Sequence, residues 1–237
     1  MHGVKDIARW QGNFFIPHTH DKWEIVYYTS GSGVNIIGNK ELPFSEGTII
    51  CQPPKIMHEE RSVNGYANIF MRVDKMDDFE MDIPVFQDTY NRDIGQIFAQ
   101  LLNCFHLHEN NWRNIANSLI CTATEYMYSR KTVKQKNSYV EMCEGILIDN
   151  ISNIDFSVAK LICEIPMAET YFMKLFKKET SYTPLEYLTQ KRIEHAKRLL
   201  LNNWRVKDVA IMCGYKDPYY FSRVFKKHVG HSPTMQV

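Results

Sequence analysis

The sequence predicts a multidomain α and β protein, with a β-rich N-terminal part and an all-α C-terminal part. Two observations predict this division. An internal helical repeat occupies the last third of the chain, and a series of short β-branched and aromatic segments occupies residues 12–73. A chain of 237 residues with 44% hydrophobic content is long enough to bury two modest cores.

The internal repeat has the pattern Tyr-Phe-x-basic-aliphatic-Phe-Lys-Lys, and its copies begin at Tyr171 and Tyr220, 49 residues apart (220 − 171). Within each copy the aromatic and aliphatic residues recur at helical spacing, which predicts one buried stripe and an opposite, basic, solvated face. A short helix is predicted before each copy, at 158–162 and 206–210. Breakers lie in both turns, namely Ile165-Pro166 and Cys213-Gly214-Tyr215.

A helix, a tight turn and a basic helix together predict a helix-turn-helix unit, whose second helix enters the DNA major groove. Ordinary helical hairpins with solvated lysines are the alternative for one copy, but two matching basic copies disfavour that alternative. The charged residues are also distributed unevenly along the chain. Residues 1–138 carry 14 Lys+Arg against 16 Asp+Glu, whereas residues 166–237 carry 13 against 6. The positive charge is therefore concentrated around the repeat, as binding to phosphates requires.

The two basic helices supply the candidate DNA contacts. The lysines near their C-terminal ends are expected to contact phosphates, which sets affinity but reads no sequence. These residues are Lys177, Lys178, Lys226 and Lys227. The residues nearer the helix starts are expected to face the bases, and these are Glu169, Thr170, Met173, Lys174, Tyr219, Ser222 and Arg223. Arg223 suits either a guanine, through its forked donors, or a phosphate.

Both copies and their surroundings, over about residues 155–235, resemble the DNA-binding domain of AraC/XylS-type bacterial transcription regulators. The most specific run is Val209-Ala210-x-x-Cys213-Gly214-Tyr215-x-Asp217-Pro218-x-Tyr220-Phe221-x-Arg223-x-Phe225-Lys226-Lys227, followed by Gly230-x-Ser232-Pro233. The sequence departs from the family pattern at Ile162, where alanine is usual, and at Ser181, where glycine is usual. The resemblance implies a sequence-specific transcription regulator with two recognition helices in successive major grooves of double-stranded DNA.

The N-terminal segments 23–28, 33–37, 47–51 and 67–73 are rich in β-branched and aromatic residues, and Gly, Pro, Asn and Ser separate them. Several short strands at regular intervals predict a sandwich or barrel. Embedded in this region is a pattern that begins Gly12-x5-His18-x-His20-x3-Glu24-x6-Gly31 and continues with Gly47-x5-Pro53 and His58. Three imidazoles and one carboxylate suit Fe, Mn, Ni or Zn better than Mg or Ca.

This stretch, over about residues 10–75, resembles a cupin, a small β-barrel of the jelly-roll type. Lys55 stands where glycine is usual, and Ser62 where asparagine is usual. In metal-binding cupins the ligand positions correspond to His18, His20, Glu24 and His58. In AraC-type regulators the same barrel usually holds a small effector, often a sugar, and many members need no metal. The other interpretation is therefore a polar effector pocket formed by His18, His20, Trp23, Glu24, Tyr27 and His58, in which Trp23 and Tyr27 either offer aromatic faces to a ligand or fill the core.

The predicted domains are an effector-binding barrel at 1–90, a helical hairpin at 91–130, a linker at 131–138 and a DNA-binding domain at 139–237. Residues 74–84 are acidic and are expected to form a solvated connection. Two amphipathic patterns, from Ile94 to Phe105 and from Trp112 to Met127, predict the hairpin. One of its faces should cover the barrel, and the resemblance places homodimerisation on the other. The alternative is that both faces are buried within one chain.

Six cysteines without paired spacing indicate reduced thiols, and the N-terminus has no apolar segment of the secretory type. We therefore expect a cytoplasmic protein without a membrane partner. The expected partners are DNA, a small-molecule effector, a second copy of the chain and RNA polymerase, and no catalytic residue is assigned. Two rival interpretations are a metal-dependent cupin enzyme fused to a DNA-binding domain and a constitutive architectural DNA binder.

Overall fold

The computed structural model describes residues 3–76, 83–108, 110–131 and 136–235. The chain divides between Gln135 and Lys136 into two compact units, which we call unit 1 and unit 2. In the described residues unit 1 contains all the strands, and unit 2 is entirely helical. The predicted division into a β-rich and an all-α part is confirmed. Residues 77–82 of the predicted acidic connection and residues 132–135 of the predicted linker lie outside the described residues.

Unit 1 is an antiparallel sheet followed by two helices. Its elements are β1 (Val4–His18), β2 (Trp23–Ile37), β3 (Lys40–Ser45), β4 (Thr48–Gln52), β5 (His58–Val73), β6 (Val85–Gln87), α1 (Asp93–Leu107) and α2 (Trp112–Lys131). The strand order is β1-β5-β2-β4-β6, and β3 pairs with β2 outside this path. The β-branched and aromatic segments predicted parts of β2, β4 and β5, whereas β1, β3 and β6 were not individually predicted. β1, β2 and β5 are long strands of 15, 15 and 16 residues.

The long strands bend, so that the sheet folds back on itself. In β2 the register with β5 shifts between Tyr28 and Val34, around Gly31, whose φ of 80° favours glycine. The first half of β2 pairs with β4, and the second half pairs with β3. The predicted strands 23–28 and 33–37 are therefore two halves of one bent strand. The two layers enclose an inner core, as expected for a jelly-roll type of domain.

The two faces of the sheet have different partners, because successive side chains of a strand point to opposite sides. On the outer face, Ile25 and Tyr27 pack with α1 and α2 in one core. On the inner face, Val26 and Tyr28 pack with residues of the facing layer. The start of α1 is fixed to the sheet by the buried carboxylate of Asp88, which accepts hydrogen bonds from Tyr27 Oη and from the backbone N–H groups of Ile94 and Gly95.

Unit 2 is a helical domain with two similar halves. Its helices are α3 (Ser138–Asp149), α4 (Val158–Glu164), α5 (Glu169–Thr180), α6 (Pro184–Leu201), α7 (Val206–Met212) and α8 (Pro218–Val229), followed by a 3-10 turn (Pro233–Met235). One core surrounds Phe172 and Phe176 of α5, and a second core surrounds Phe221 and Phe225 of α8. The apolar stripe of the sequence repeat thus forms the centre of each half.

Side-chain caps fix the starts of two helices of unit 2. Thr183 and Glu186 form a capping box at the start of α6. Asp217 caps α8 by accepting a hydrogen bond from the backbone N–H of Tyr219 at 2.8 Å. The corresponding residue before α5 is Ala168, which makes no side-chain cap, so the first half lacks an interaction that the second half has. No helix in the described part of the chain is both long and apolar enough to cross a membrane.

Candidate effector pocket and DNA interface

The inner face of the sheet carries an unusual number of buried polar side chains. Glu24, Gln52, His58, Glu60 and Asn68 are each at most 5% exposed. They share this face because they lie at even spacings along β2, β4 and β5, and because the register pairs Glu24 with Gln52. Burying polar groups costs free energy unless they find partners. Such a concentration on one face therefore indicates a binding site.

The structure brings the four predicted metal ligands together. One ligand atom from each of His18, His20, Glu24 and His58 lies within 4.8 Å of all the others. His18 and His58 meet because they are paired across β1 and β5, and their ring centroids are 4.3 Å apart. The Nε2 atoms of His20 and His58 lie 3.5 and 3.6 Å from one carboxylate oxygen of Glu24.

Backbone carbonyls orient all three imidazoles in the same way. The Nδ1 atoms of His18, His20 and His58 lie 3.0, 2.7 and 2.9 Å from the carbonyl oxygens of Ile16, Lys22 and Ile56. A carbonyl oxygen can only accept, so Nδ1 carries the proton in each neutral ring, and Nε2 presents its lone pair. The three Nε2 lone pairs therefore face one another and the carboxylate, and the Nε2 atoms of His20 and His58 have no hydrogen-bond partner.

The environment of Glu24 favours its ionised form. Burial alone would raise the pKa of this carboxyl, but the imidazoles of His20 and His58 and the Arg72 guanidinium outweigh burial and hold its pKa well below its usual range. Arg72 Nε donates to Glu24 at 3.1 Å. Contact with Glu24 likewise outweighs the effect of burial on His20 and raises its pKa. The cluster is thus arranged around a negative charge that attracts cations.

A second polar network surrounds Glu60, next to the histidine cluster. Its carboxylate accepts hydrogen bonds from the hydroxyls of Tyr28 at 2.6 Å and Tyr66 at 2.5 Å. The amide nitrogens of Asn35 and Asn68 donate to it at 3.4 and 3.1 Å. Burial raises the pKa of Glu60, and the two tyrosine hydrogen bonds act against that shift. Because both amide nitrogens are directed at the carboxylate, the amide oxygens of Asn35 and Asn68 are left without a partner.

Between these two networks lies a small pocket, part of which is open to solvent. His18, Glu24 and His58 lie on one side of it, and Glu60 and Asn68 contribute the second network. The remaining side chains that line it are Phe15, Val26, Gln52, Glu59 and Phe70. The free space inside it is about the size of one water molecule.

The expectation that Trp23 and Tyr27 line the pocket is wrong. Both residues lie one position away from the inward-facing Glu24 and Val26 in β2, so their side chains point to the outer face. Tyr27 packs against Phe98 of α1, and Trp23 packs against the same outer core. Gln52, Glu60 and Asn68 line the pocket but were not predicted as site residues. The even spacing of Glu60 from His58 was the available signal for one of them.

In unit 2 the candidate DNA contacts occupy one face of α5 and the equivalent face of α8. Glu169, Thr170, Lys174, Lys177 and Lys178 are exposed on α5, and Tyr219, Arg223, Lys226 and Lys227 are exposed on α8. Two of the predicted base readers are less available. Met173 is half-buried and packs against the first core, and the hydroxyl of half-buried Ser222 donates to the Pro218 carbonyl at 2.8 Å.

The chain is similar to known proteins in both units. Residues 6–118 match the family described as an AraC-like ligand binding domain, and residues 164–235 match a helix-turn-helix domain. The transcriptional activator RhaR of Enterobacter sp. (strain 638) is 25% identical over 95% of this chain and 88% of its own length. RhaR of Escherichia coli O139:H28 is 24% identical over the same shares.

Among solved structures, the C-terminal domain of AraT, a response regulator from Geobacillus stearothermophilus, is 25% identical. It covers 44% of this chain and 86% of its own, with a TM-score of 0.41. The two matched regions contain the pocket and the two recognition helices, respectively. The chain belongs to the AraC family of transcription regulators, with an N-terminal ligand-binding domain and a C-terminal helix-turn-helix domain that binds DNA.

Proposed function

We propose that α5 and α8 enter two successive major grooves of the target DNA, and that a small molecule in the unit 1 pocket controls this binding. The observation that carries the proposal is the presence of two recognition helices with matching exposed faces, each with lysines in its last turn. The intervening helix α6 has 18 residues, so it is about 27 Å long at ~1.5 Å per residue. Successive major grooves on one side of DNA are ~34 Å apart. A helix of this length therefore suits two recognition helices that are held about one DNA turn apart.

Arg223 is the residue whose replacement best tests sequence reading. Its guanidinium lies 5.8 Å from the ring centroid of Tyr220, on the exposed face of α8. If Arg223 reads a guanine, Arg223→Ala is expected to weaken binding to the selected site by about 10- to 100-fold and to relax the preference at one base pair.

The measurement is fluorescence anisotropy on a site selected from random DNA and on its single-base variants. Lys216→Ala is the matched control, because Lys216 is exposed and pairs with Asp155. A uniform loss on every sequence would assign Arg223 to a phosphate instead. No loss on any sequence would contradict a DNA-facing α8.

We further propose that His18, His20, Glu24 and His58 hold a transition metal, with Fe, Mn, Ni and Zn as candidates. The residues fit such an ion, because one ligand atom from each of the three imidazoles and the carboxylate lie within 4.8 Å of one another, and the Nε2 atoms of His20 and His58 have no hydrogen-bond partner. A hydrogen bond from a protonated His20 to Glu24 fits this arrangement less well, since the 3.5 Å between His20 Nε2 and the Glu24 carboxylate oxygen is longer than a normal hydrogen bond. A bound ion would act as a Lewis acid that polarises an oxygen of the bound effector.

Elemental analysis of the purified protein is expected to find about one equivalent of metal, and His58→Ala should lose it, because each ligand of such a site is needed for tight binding. A chelator should lower the unfolding temperature of the wild type and leave that of the variant unchanged. His108→Ala, an exposed histidine outside the cluster, is the control. Retention of metal by His58→Ala would exclude this site.

We propose that the protein acts as a homodimer in the cytoplasm and contacts RNA polymerase when it activates transcription. The dimer is supported by Ile115 and Tyr126, which are 44% and 40% exposed on α2. They are 11 residues apart, close to three helical turns, and so lie on one face.

The proposed location in the cytoplasm is supported by six cysteines that are all free thiols. Sedimentation of wild type and Tyr126→Glu would test the dimer.

The second candidate function is a metal-dependent enzyme fused to a DNA-binding domain, and the histidine cluster is the observation that favours it. We propose a regulator instead, since the relatives similar over 95% of the chain are transcriptional activators. An architectural DNA binder without an effector is disfavoured by the buried polar groups of the pocket, which are costly to retain without a ligand.

A further inference from the structure

The two halves of unit 2 have separate cores that share the helix α6. In α6, Leu188 belongs to the first core. Ile193, Ala196 and Leu200 belong to the second core. A groove of about 420 Å³, open to solvent, lies between the N-terminal part of α6 and α8. The relative orientation of the two halves therefore depends on α6 and on any other contact that joins them.

The halves also meet away from α6, where the turn between α7 and α8 lies against the loop that follows α3. A Cβ atom on Gly214 would lie 2.7 Å from the backbone oxygen of Ile151, so the two backbones lie close together. Ile151 packs against the first core, and Tyr215, which follows Gly214, belongs to the second core. This contact therefore brings a residue of each core to the same place.

Arg192 lies at this contact, at the point of α6 where one core ends and the other begins. Its Nε donates to the Ile151 carbonyl at 3.0 Å, and its Nη2 donates to the Asn153 carbonyl at 2.8 Å. The guanidinium carbon lies 5.5 Å from the ring centroid of Tyr215. Arg192 thus binds the loop of the first half and packs on an aromatic ring of the second half.

The loop that accepts these hydrogen bonds is ordered by hydrogen bonds of its own. The side-chain amide of Asn150 donates to the Ile146 carbonyl at 2.8 Å, and that of Asn153 donates to Asn150 at 2.9 Å. The side-chain oxygen of Asn153 accepts from the backbone N–H of Asp155 at 3.0 Å. The carbonyls of this loop are therefore held in defined positions, and the arginine joins two ordered parts of the unit.

Both recognition helices rest on the parts that Arg192 joins. The first core, against which Ile151 packs, contains Phe172 of α5. The ring of Tyr215 lies 5.3 Å from that of Phe221 in α8, measured between centroids. Loss of the Arg192 contacts would therefore loosen the relation between α5 and α8, although no residue on either DNA-facing surface is changed.

We propose that Arg192 is a positioning residue for DNA recognition, which fixes the relation between α5 and α8 and so determines the half-site spacing that the protein accepts. Because it takes both helices as DNA-binding, this proposal rests on the proposed function. Each additional base pair moves one half-site by ~3.4 Å and rotates it by ~35° about the DNA axis. Two helices held in one relation can engage both half-sites only at a matching spacing, whereas a looser pair tolerates more spacings.

The test compares the affinity of the full-length protein for the selected site and for versions with one base pair inserted or removed between the half-sites. Fluorescence anisotropy measures the binding. The wild type is expected to bind the altered sites at least about 30-fold more weakly. In Arg192→Met, affinity for the original spacing should fall by about 10-fold, and affinity for the altered spacings by less than about 3-fold. The preference for one spacing should therefore decrease.

Lys191→Met is the matched control, because it also replaces a cation of α6 by methionine. Lys191 forms its ion pair with Glu194 of the same helix, so the contact between the halves is left intact. This variant should keep the wild-type preference for one spacing. Arg192→Lys is a milder second variant, which keeps the charge but lacks the planar fork that spans two carbonyls. It should shift the preference in the same direction as Arg192→Met.

Thermal unfolding of the same samples separates positioning from stability. A purely structural arginine would lower the unfolding temperature and leave the spacing preference intact in both variants, and that result would overturn the proposal. Arg192→Lys gives the answer if Arg192→Met does not fold. A wild type without any preference for one spacing would contradict binding in two successive grooves, and this proposal with it. A preference that the wild type shows and both arginine variants retain would refute the positioning role alone.

Discussion

Replacing Gly214 by alanine is expected to destabilise unit 2 by about 2–4 kcal/mol, because the substitution combines left-handed backbone strain with a steric clash. Gly214 lies between α7 and α8 with φ of 73°. A Cβ atom there would lie 2.7 Å from the backbone oxygen of Ile151 and 2.5 Å from Arg192 Nη2. The backbone oxygen cannot move away easily. Arg192 is itself held, since it donates to the carbonyls of Ile151 and Asn153 at 3.0 and 2.8 Å.

Gly230 provides the matched control for Gly214. It ends α8 with φ of 96°, but a Cβ atom there would meet nothing within 4 Å. Gly230→Ala should therefore cost only the conformational strain, about 1 kcal/mol. Denaturant unfolding of both variants measures the difference. Equal losses of stability would show that the contact with Ile151 and Arg192 does not constrain the turn.

Replacing the lysine pair at the end of each recognition helix is expected to reduce the salt dependence of DNA binding. For Lys226 and Lys227 together, and separately for Lys177 and Lys178, the slope of log affinity against log salt should fall by about 1.8, at ~0.9 per phosphate contact. All four lysines are exposed in the last turns of α8 and α5. In the variant with all four lysines replaced, the slope of log affinity against log salt should then fall by about 3.6.

Lys191 and Lys216 are the control pair, because each forms an ion pair with a carboxylate, Glu194 and Asp155 respectively. Their double replacement should change the slope by less than the replacement of either recognition-helix pair. The slopes are measured by anisotropy on one operator across a salt series. A loss that follows only one of the two recognition-helix pairs would contradict two helices in successive grooves. It would mean that one helix-turn-helix unit alone binds DNA.

The positions of the helices in unit 2 were predicted accurately because they rest on local signals. The capping box of Thr183 and Glu186, the cap at Asp217 and the aromatic stripe around Phe221 are each set by residues within about two helical turns. Ser181, which departs from the family pattern, adopts φ of 69°, so the glycine conformation is kept there without glycine. The contacts that define a helix join residues close together in the sequence, and a sequence pattern therefore predicts them directly.

The pocket was predicted only in part, and the errors have a common cause. His18, His20 and Glu24 were predicted from their spacing in the sequence, and the structure brings their ligand atoms together with that of His58. Trp23 and Tyr27 were assigned to the same site by proximity in the sequence, although their odd positions direct them to the outer core. A shift of one residue along a strand reverses the face on which a side chain lies.

The sequence by itself determined the two-part architecture, the helix-turn-helix units with their basic faces, and the composition of the histidine and carboxylate cluster. Only the tertiary structure decided that His58 meets His18 across β1 and β5, and that the Asn68 amide nitrogen donates to Glu60. These contacts join strands that are far apart in the chain. Their register depends on how the bent sheet closes on itself, and no local pattern of residues encodes that closure.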